Sequence, residues 1–537
     1  MRRVGRPDSR TVGLWLLAAV AVLSDSPTVR QSRFWRPEER VLVSDFSFVQ
    51  ALAASPWLVY AATRHGLVVY DRRARRWQLP VTTLDGYPAT RVRTALADVV
   101  DNAVWLGTDD GWYRYDPDLR RWDHGFVAGG VGSFILDRND QASGVYVQGG
   151  LPIRWEFLPR GGLLPEPGRP LPPPSQRIQP LDPRLALMQT PMADAMRALI
   201  LTDPRLRTFQ FTAAARTPEQ NDLYFGTNGA GVVRVDAATG GWENLRYGLL
   251  SSRADAVAPG PDGVWTVGSA RVGERRGLTW VTDDATETSP EEGALGPGFT
   301  YVAARRLLAS GKYLWLATDG GLLKIDPGSG RSRRFDLGSG LPSEDVLSLA
   351  PAPDGIWVGT ARGLAVITGD DRVVRIGGFD QAVPALLAVR ESLWVGSAAG
   401  LAVLAPGDPE PLVPAELAAQ PALRAPITAL GRVGDTLVVA TVDQLAWRDP
   451  ATRAWTLQRG RAGLGQVSAL TGDAGGVWLG GSAVLAFWEL PRGTFRTLQI
   501  PGDLPAPVRD LAVSGRYLWV ATDSGLVRLE RRAALGR

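Results

Sequence analysis

Cysteine is absent from the 537 residues, and histidine occurs only twice, as His65 and His124. The first absence excludes disulfides, thiol nucleophiles, iron–sulfur clusters and cysteine-zinc sites; the second excludes a multi-histidine metal centre. Lysine stands only at Lys312 and Lys324, so almost all the basic charge is arginine. The net charge is +4, and most of it comes from Arg2, Arg3, Arg6 and Arg10 against Asp8. The remainder is near neutral and lacks the clustered basic footprint that nucleic acid binding requires. No apolar run approaches the roughly 20 residues of a membrane-spanning helix. A Gly-rich loop ending in GKS or GKT and a GxSxG nucleophile turn are both missing. The composition points to no cofactor and no resident metal.

What is present is turn-rich, with 61 Gly and 40 Pro, in an otherwise ordinary globular balance of 45% hydrophobic residues. The four N-terminal arginines precede an apolar run at 12–23, VGLWLLAAVAVL. A basic segment before about 7–15 apolar residues is the pattern of an export signal. Residues 1–24 are expected to be a signal peptide or, if uncleaved, a membrane anchor. Ala19-Val20-Ala21 and Val22-Leu23-Ser24 are both usable cleavage sites. The mature chain is expected outside the cytoplasm, periplasmic or secreted, with no membrane span of its own.

Beyond this segment one phrase recurs: apolar, aromatic, apolar, small, Thr or Ser, two residues, Gly, then an apolar strand. It reads VWLGTDDGWYRYD at 104–116, LWLATDGGLLKID at 314–326, IWVGTARGLAVI at 356–367, LWVGSAAGLAVL at 393–404 and LWVATDSGLVRL at 518–529. Weaker copies at 59–71, 145–155, 223–236, 264–281, 437–449 and 477–488 bring the total to eleven. The Thr-equivalent positions are 63, 108, 149, 227, 268, 318, 360, 397, 441, 481 and 522. Their spacings run from 37 to 50 residues, with one gap of 78. A period of about 40–45 residues built from short strands is the signature of propeller blades. Inner strands buried on both faces read as continuous apolar runs, as these do. The aromatic position, occupied by Trp105, Trp315, Trp357, Trp394, Trp478 and Trp519 among others, is expected to fill the wedge between blades. The Gly that follows is expected to supply the positive φ of a tight hairpin.

The expected fold is therefore all-β, a β-propeller of about eleven four-stranded blades. Two packed rings are preferred over one large ring, because a ring ordinarily holds about four to eight blades. The last copy lacks a fourth strand, while 33–43 precede the first inner strand near Val49. An N-terminal strand is expected to complete the last blade and so join the two ends. Residues 33–158 are assigned blades 1–3 plus this closing strand, and 221–537 blades 4–11. Residues 159–220 break the period and are assigned a Pro-rich and helical insertion. Its LLPEPGRPLPPP at 163–174 reads as extended linker. A helix is predicted over 190–201, capped by Thr190, with Met192, Met196 and Leu199 along one face as a candidate partner surface. The acidic DDATETSPEE near 283–292 reads as a solvated loop.

The stretch 335–367, FDLGSGLPSEDVLSLAPAPDGIWVGTARGLAVI, resembles the two-component regulator propeller repeat. Variants of its GLPS turn and LWVGT strand cover nearly all of the chain after the export segment, outside 159–220. The resemblance implies a propeller and leaves the ligand open. Better-known members are extracytoplasmic halves of hybrid sensor kinases and are thought to sense glycan fragments. These 537 residues contain no kinase region and no phosphoacceptor histidine motif.

Propeller ligands usually meet the loops that lead into inner strands and the hairpins on the same face. Those positions hold Gln50, Arg93, Asp255, Ser468, Arg509 and Asp510, with Arg64, His65, Asp109, Asp110, Asp319, Asp443 and Asp523 in the hairpins. Arg93 and Arg509 could hold a carboxylate or phosphate, or form ion pairs with Asp255 or Asp510. The aspartates could take a hard cation, although aspartate in a hairpin is ordinarily a turn former. His65 is the single histidine on this face and the weak candidate for general acid–base work. The leading expectation is an exported, non-catalytic propeller that binds a protein or glycan partner at the bacterial cell envelope. The alternatives are a sensory subunit acting with a separate signalling protein, and a polysaccharide lyase or hydrolase. Fold alone does not choose among them.

Overall fold

The computed structural model describes residues 35–536 except 101, 159–162, 191–198, 218–220, 271–274, 297–298, 459–462 and 491. The expected export segment lies outside the described residues.

The described residues form eleven antiparallel sheets, each a blade, and the architecture is an all-β propeller. Eight sheets have four strands, two have five, and one, spanning 385–404, has three. The recurrent phrase builds the second and third strands of each blade, for example Tyr517–Thr522 and Gly525–Glu530. Its Thr closes the hairpin between them. The buried hydroxyl donates to the carbonyl of the Gly at 2.8 Å for Thr63–Gly66, 2.9 Å for Thr360–Gly363 and 2.7 Å for Thr522–Gly525. Serine does the same at Ser397–Gly400, 3.2 Å.

The hairpin glycine has two separate reasons. Gly525 sits at φ +129, the left-handed side expected from the sequence. Gly111 does not adopt positive φ; a Cβ there would stand 2.1 Å from the carbonyl of Gly125, so close approach of the fourth strand excludes a side chain. The aromatic position fills the wedge between blades as expected. Trp105 is fully buried and meets Phe134 of the next sheet at 5.9 Å, and Trp394 meets Trp455 of its neighbour at 6.2 Å.

The expected closing strand is present. Arg40–Val43 pairs antiparallel with Gly525–Glu530, Val41 opposite Arg528 and Val43 opposite Leu526. Arg528 also donates to the carbonyl of Glu38 at 2.7 Å.

Residues 159–220 differ from the reading as linker and helix. Leu163–Glu166 is the fourth strand of the sheet begun by Ser133–Asp137, and Arg177–Ile178 adds to its inner edge. Thr208–Arg216 is the first strand of the next sheet, with Ile200–Thr202 on its inner edge. A bridge between Leu181 and Ala214 links the two. A short helix stands at Pro183–Leu187, capped by Asp182, whose carboxylate accepts from the backbone of Arg184 at 2.8 Å. Residues 191–198 of the predicted helix lie outside the described residues, and Ile200, expected near its end, is in a strand. The periodic apolar pattern there is short enough to suit either element.

First strands pack beside one another in two groups. Val49–Ala54 lies between Val92–Asp98 and Thr208–Arg216, and Val92–Asp98 in turn meets Ser133–Asp137. Val508–Ser514 lies between Val467–Asp473 and Ala256–Pro259. From Ala256–Pro259 the contacts pass to Ala304–Ser310, Val346–Ala352, Ala385–Val389 and Ile427–Val433, and return to Val467–Asp473. One hydrophobic cluster, including Val43, Val49, Tyr247, Val257 and Trp519, draws on both groups.

Candidate functional site

A repeated bulge shapes the face that carries the hairpins. In seven sheets the first strand shifts register at its second residue, as between Val49 and Ala51, Val92 and Thr94, or Val508 and Asp510, and in an eighth the shift lies at Thr212, between Phe211 and Ala213. Bulges re-aim a side chain. The bulged residues include Gln50, Arg93, Ser468 and Arg509, four of the predicted site positions. Two of them latch sheet to sheet. Gln50 accepts from the backbone N–H of Val92 at 3.1 Å, and Ser468 donates to the carbonyl of Val508 at 2.7 Å. Thr212 repeats the device by donating to Val49 at 2.7 Å.

The bulged arginines turn to the hairpin of their own sheet. Arg93 pairs with Asp109 and donates to the carbonyl of Gly129 at 3.0 Å. Arg509 makes a two-point pair with Asp523 at 2.9 and 2.8 Å, which raises its pKa further. The partner expected for Arg509 was Asp255 or Asp510; the geometry gives Asp523, because bulge and hairpin meet at the same end of the sheet. Asp255 is buried, takes Arg253 at 2.7 Å and accepts from the backbone of Ser269 at 2.6 Å. Arg253 also reaches Asp523 at 3.2 Å, so Arg253, Asp255, Arg509 and Asp523 form one network. Asp319 accepts from the backbone of Val302 and Ala303, both at 3.0 Å. Asp110 accepts from the Thr108 and Thr90 hydroxyls at 2.5 and 3.0 Å, and the Thr108 bond leads in holding its carboxyl below the usual range.

Asp510 stands apart. Its carboxylate takes Arg306 at 3.1 Å and the backbone N–H of Val257 at 3.1 Å, and burial pushes its pKa up. With Ser348, Leu349, Leu386, Leu430 and Leu470, this pair lines a cavity of about 100 Å³.

His65 is half-buried in its hairpin, and burial lowers its pKa despite the nearby charge of Asp45. Of the proposed partner surface, Met192 and Met196 lie outside the described residues. Leu199 packs against the core of the sheet spanning 200–245. Among the described residues no group of three or more His, Asp or Glu is placed to hold a metal. No helix among them is long and apolar enough to cross a membrane.

Two features escaped the sequence reading. On the hairpin face, Phe126 is 81% exposed and Leu151 is 91% exposed. They come from adjacent sheets whose turns touch: a Cβ on Gly149 would meet Val127 at 2.7 Å. At the other end of the first strands lies a cavity of about 470 Å³ lined by alanines and leucines from several sheets. Neither has a motif; both depend on which blades become neighbours.

No family model matches the chain, and no curated protein matches it. Solved structures do. One is PorZ, described as an essential bacterial surface component of the type-IX secretion system of Porphyromonas gingivalis. It is 11% identical, with TM-score 0.55 over 92% of this chain and 87% of that one. Another is the extracellular domain of a putative hybrid two component system of B. thetaiotaomicron. It is 12% identical, with TM-score 0.45 over 91% of this chain and 69% of that one. At such identities the likeness to PorZ is one of fold, and it agrees with the propeller described above.

Proposed function

We propose that this chain is an exported, non-catalytic β-propeller that binds a partner at the bacterial cell envelope, and that the partner is a protein rather than a glycan. The observation that carries this reading is the exposed Phe126 and Leu151 at the junction of two hairpins. Large exposed apolar side chains beside charged ones are the composition of a protein-binding patch, and Arg93 with Asp109 supplies a polar rim. The arginines and aspartates expected to take a ligand are instead engaged with other groups of the protein, Arg93 with Asp109, Arg509 with Asp523, Asp110 with two threonines, Asp319 with backbone and Asp510 with Arg306, which supports recognition by surface over chemistry at those side chains. Location at the envelope rests on the basic and apolar segment at 2–23, and a secretion-system surface component shares the fold. Membership of the two-component regulator propeller repeat family rests on the GLPS and LWVGT phrases. We read the two groups of first strands as two rings joined through one shared core.

Affinity capture from the cross-linked envelope of the source organism, with mass spectrometry, tests this. Capture is run with the parent chain and with the double variant Phe126→Asp, Leu151→Asp, which changes exposed side chains only. The expected result is one stoichiometric protein present with the parent and lost with the variant. Equal capture by both, or a glycan array signal unaffected by the variant, overturns the proposal.

A further inference from the structure

The sheet that holds Thr208–Arg216 sends an arm past its own hairpin. Phe211 stands opposite Thr227, whose hydroxyl closes that hairpin on the carbonyl of Gly231 at 2.9 Å. The chain continues beyond this point as a two-stranded arm, with Ile200–Thr202 paired to 208–210 and a turn at 203–207. Asn228 fastens it: its Oδ1 accepts from the backbone N–H of Gln210 at 2.7 Å, and its own N–H donates to the carbonyl of Gln210 at 3.0 Å.

The tip of the arm is stiff. The N–H of Leu206 donates to the carbonyl of Asp203 at 2.9 Å, across Pro204. The Asp203 carboxylate accepts from the backbone N–H groups of Arg205 and Arg207, both at 2.9 Å, and from the Arg207 guanidinium at 2.9 and 2.6 Å. The same guanidinium donates to Glu292 at 2.7 and 3.2 Å, and Arg275 adds two bonds to that carboxylate at 3.0 and 2.9 Å. Glu292 follows the outer strand Thr288–Glu291 of the sheet begun by Ala256–Pro259, so the tip is braced against a sheet of the other group.

Leu206 suits neither the turn nor the solvent. It stands at φ +61, a region that glycine or asparagine occupies with less strain. Its side chain packs on little of the protein, being 84% exposed. Strain that the chain's own packing does not need points to a role outside the fold. Leu151, Leu206 and Phe126 are the three most exposed large hydrophobic side chains among the described residues. All three belong to the first group of sheets and stand at its hairpin end: Leu151 between Gly144–Gln148 and Ile153–Phe157, Phe126 opposite Gly111. Beside Leu206, Arg205 is half-exposed and reaches Glu292 only at 3.6 Å, whereas the side chains of Asp203 and Glu292 are largely shielded. The tip therefore shows solvent one leucine and one positive charge.

We propose that this arm forms one contact surface with Phe126 and Leu151, and that a partner protein receives Leu206 in an apolar recess with a carboxylate at its rim for Arg205. The proposal rests on the reading of the hairpin face as a protein-binding face. A convex apolar tip calls for a concave apolar receptor, which a folded protein supplies and a hydrated glycan does not. A bilayer would take a leucine on a loose loop equally well; bracing lowers the ordering cost only against a partner of fixed shape.

Photoreactive substitution of the full chain in cells of the source organism tests this, with Leu206→benzoylphenylalanine, Phe126→benzoylphenylalanine and, as a control at the opposite end of a sheet, the exposed Leu119→benzoylphenylalanine. The expected result is an adduct to one and the same envelope protein from positions 206 and 126, and none to it from 119. Leu206→Gly removes the side chain and suits the backbone, so its melting temperature is expected to stay level or rise. Recovery of that protein on the purified variant is expected to fall roughly tenfold or more. Arg205→Gln is expected to lower recovery roughly twofold to fivefold. Adducts from 126 alone, adducts from 206 to lipid or to a different protein, or full recovery with Leu206→Gly or Arg205→Gln overturn the proposal and leave the reading of Phe126 and Leu151 in place. Adducts from 206 alone, or from neither position, overturn both.

Discussion

The centres of the two strand groups are built in opposite ways. Beside Val508–Ser514 and its neighbours, leucines and the Arg306–Asp510 pair crowd a cavity of about 100 Å³. Between Val49–Ala54, Val92–Asp98 and Thr208–Arg216, alanines leave about 470 Å³. The smaller space belongs to the group with more sheets. Between these two groups it is the side chains along the first strands, and not the number of sheets, that set the size of the space. The first group also needs the segment 177–181 to connect two of its sheets, whereas the second returns upon itself through its own first strands.

The sharpest way to break this contrast is at the closing strand. Leu42 is buried within the core of the second group, so Leu42→Asp places a charge among apolar side chains and is expected to cost roughly 4 kcal/mol or more. Amide exchange should show protection lost across 517–530 while 94–108 keep theirs. Simultaneous loss in both segments would mean that the groups fold as one unit and the contrast is only geometric. Next in size, Gly525→Ala forces a side chain at φ +129 to within 2.4 Å of the Val43 carbonyl, with an expected loss of about 2 kcal/mol in thermal unfolding. An unaltered melting temperature would show that the closing strand can shift at little cost.

The third comparison sets one substitution in both places. Ala440 is fully buried between packed sheets, and Ala440→Leu is expected to cost about 1–3 kcal/mol by overpacking. Ala54 lines the open cavity, so Ala54→Leu should stay within about 0.5 kcal/mol of the parent. Equal losses on chemical denaturation would refute the open centre.

The smallest effects have opposite signs with pH. The Asp510 pKa is raised in the folded chain by burial, so its contribution is complete below the ordinary value of about 3.9 and is lost as pH rises through the raised one. Asp510→Asn should flatten that loss. The His65 pKa is lowered by burial, so its contribution is present above the ordinary value of about 6.5 and is lost as pH falls through the lowered one. His65→Gln should flatten the loss on the acid side. Urea titrations between about pH 4 and 8 decide both, and a variant whose pH profile matches the parent removes that residue from the account.

The blades were legible because their signals are local. Thr-x-x-Gly announces a hairpin closed by one hydroxyl, and the four or five apolar or small residues before it announce a strand buried on both faces. The sheet holding Gly149 in place of Thr was still recovered from its spacing. Residues 159–220 were not, because proline at Pro165 sits on an outer strand, where a missing N–H does no harm, and so the segment resembled linker. The site was harder. Arg93–Asp109 and Arg509–Asp523 occupy the same register in two sheets, a mark of repeat construction that the loop-face argument alone does not register. The alanines of the cavity were in view throughout, yet an alanine at a tight packing point and an alanine at an empty centre are identical until the neighbouring sheets are known.

The pairing of Arg40–Val43 with Gly525–Glu530 has a consequence for how the chain comes into being. Arg40–Val43 cannot find its partner until the ribosome has delivered the blades that lie between the two strands. Any product ending before Gly525 carries Val41, Leu42 and Val43 as an uncovered apolar edge, the feature on which proteases and aggregation act. The seam therefore forms only in a polypeptide that has been translated through Gly525–Glu530.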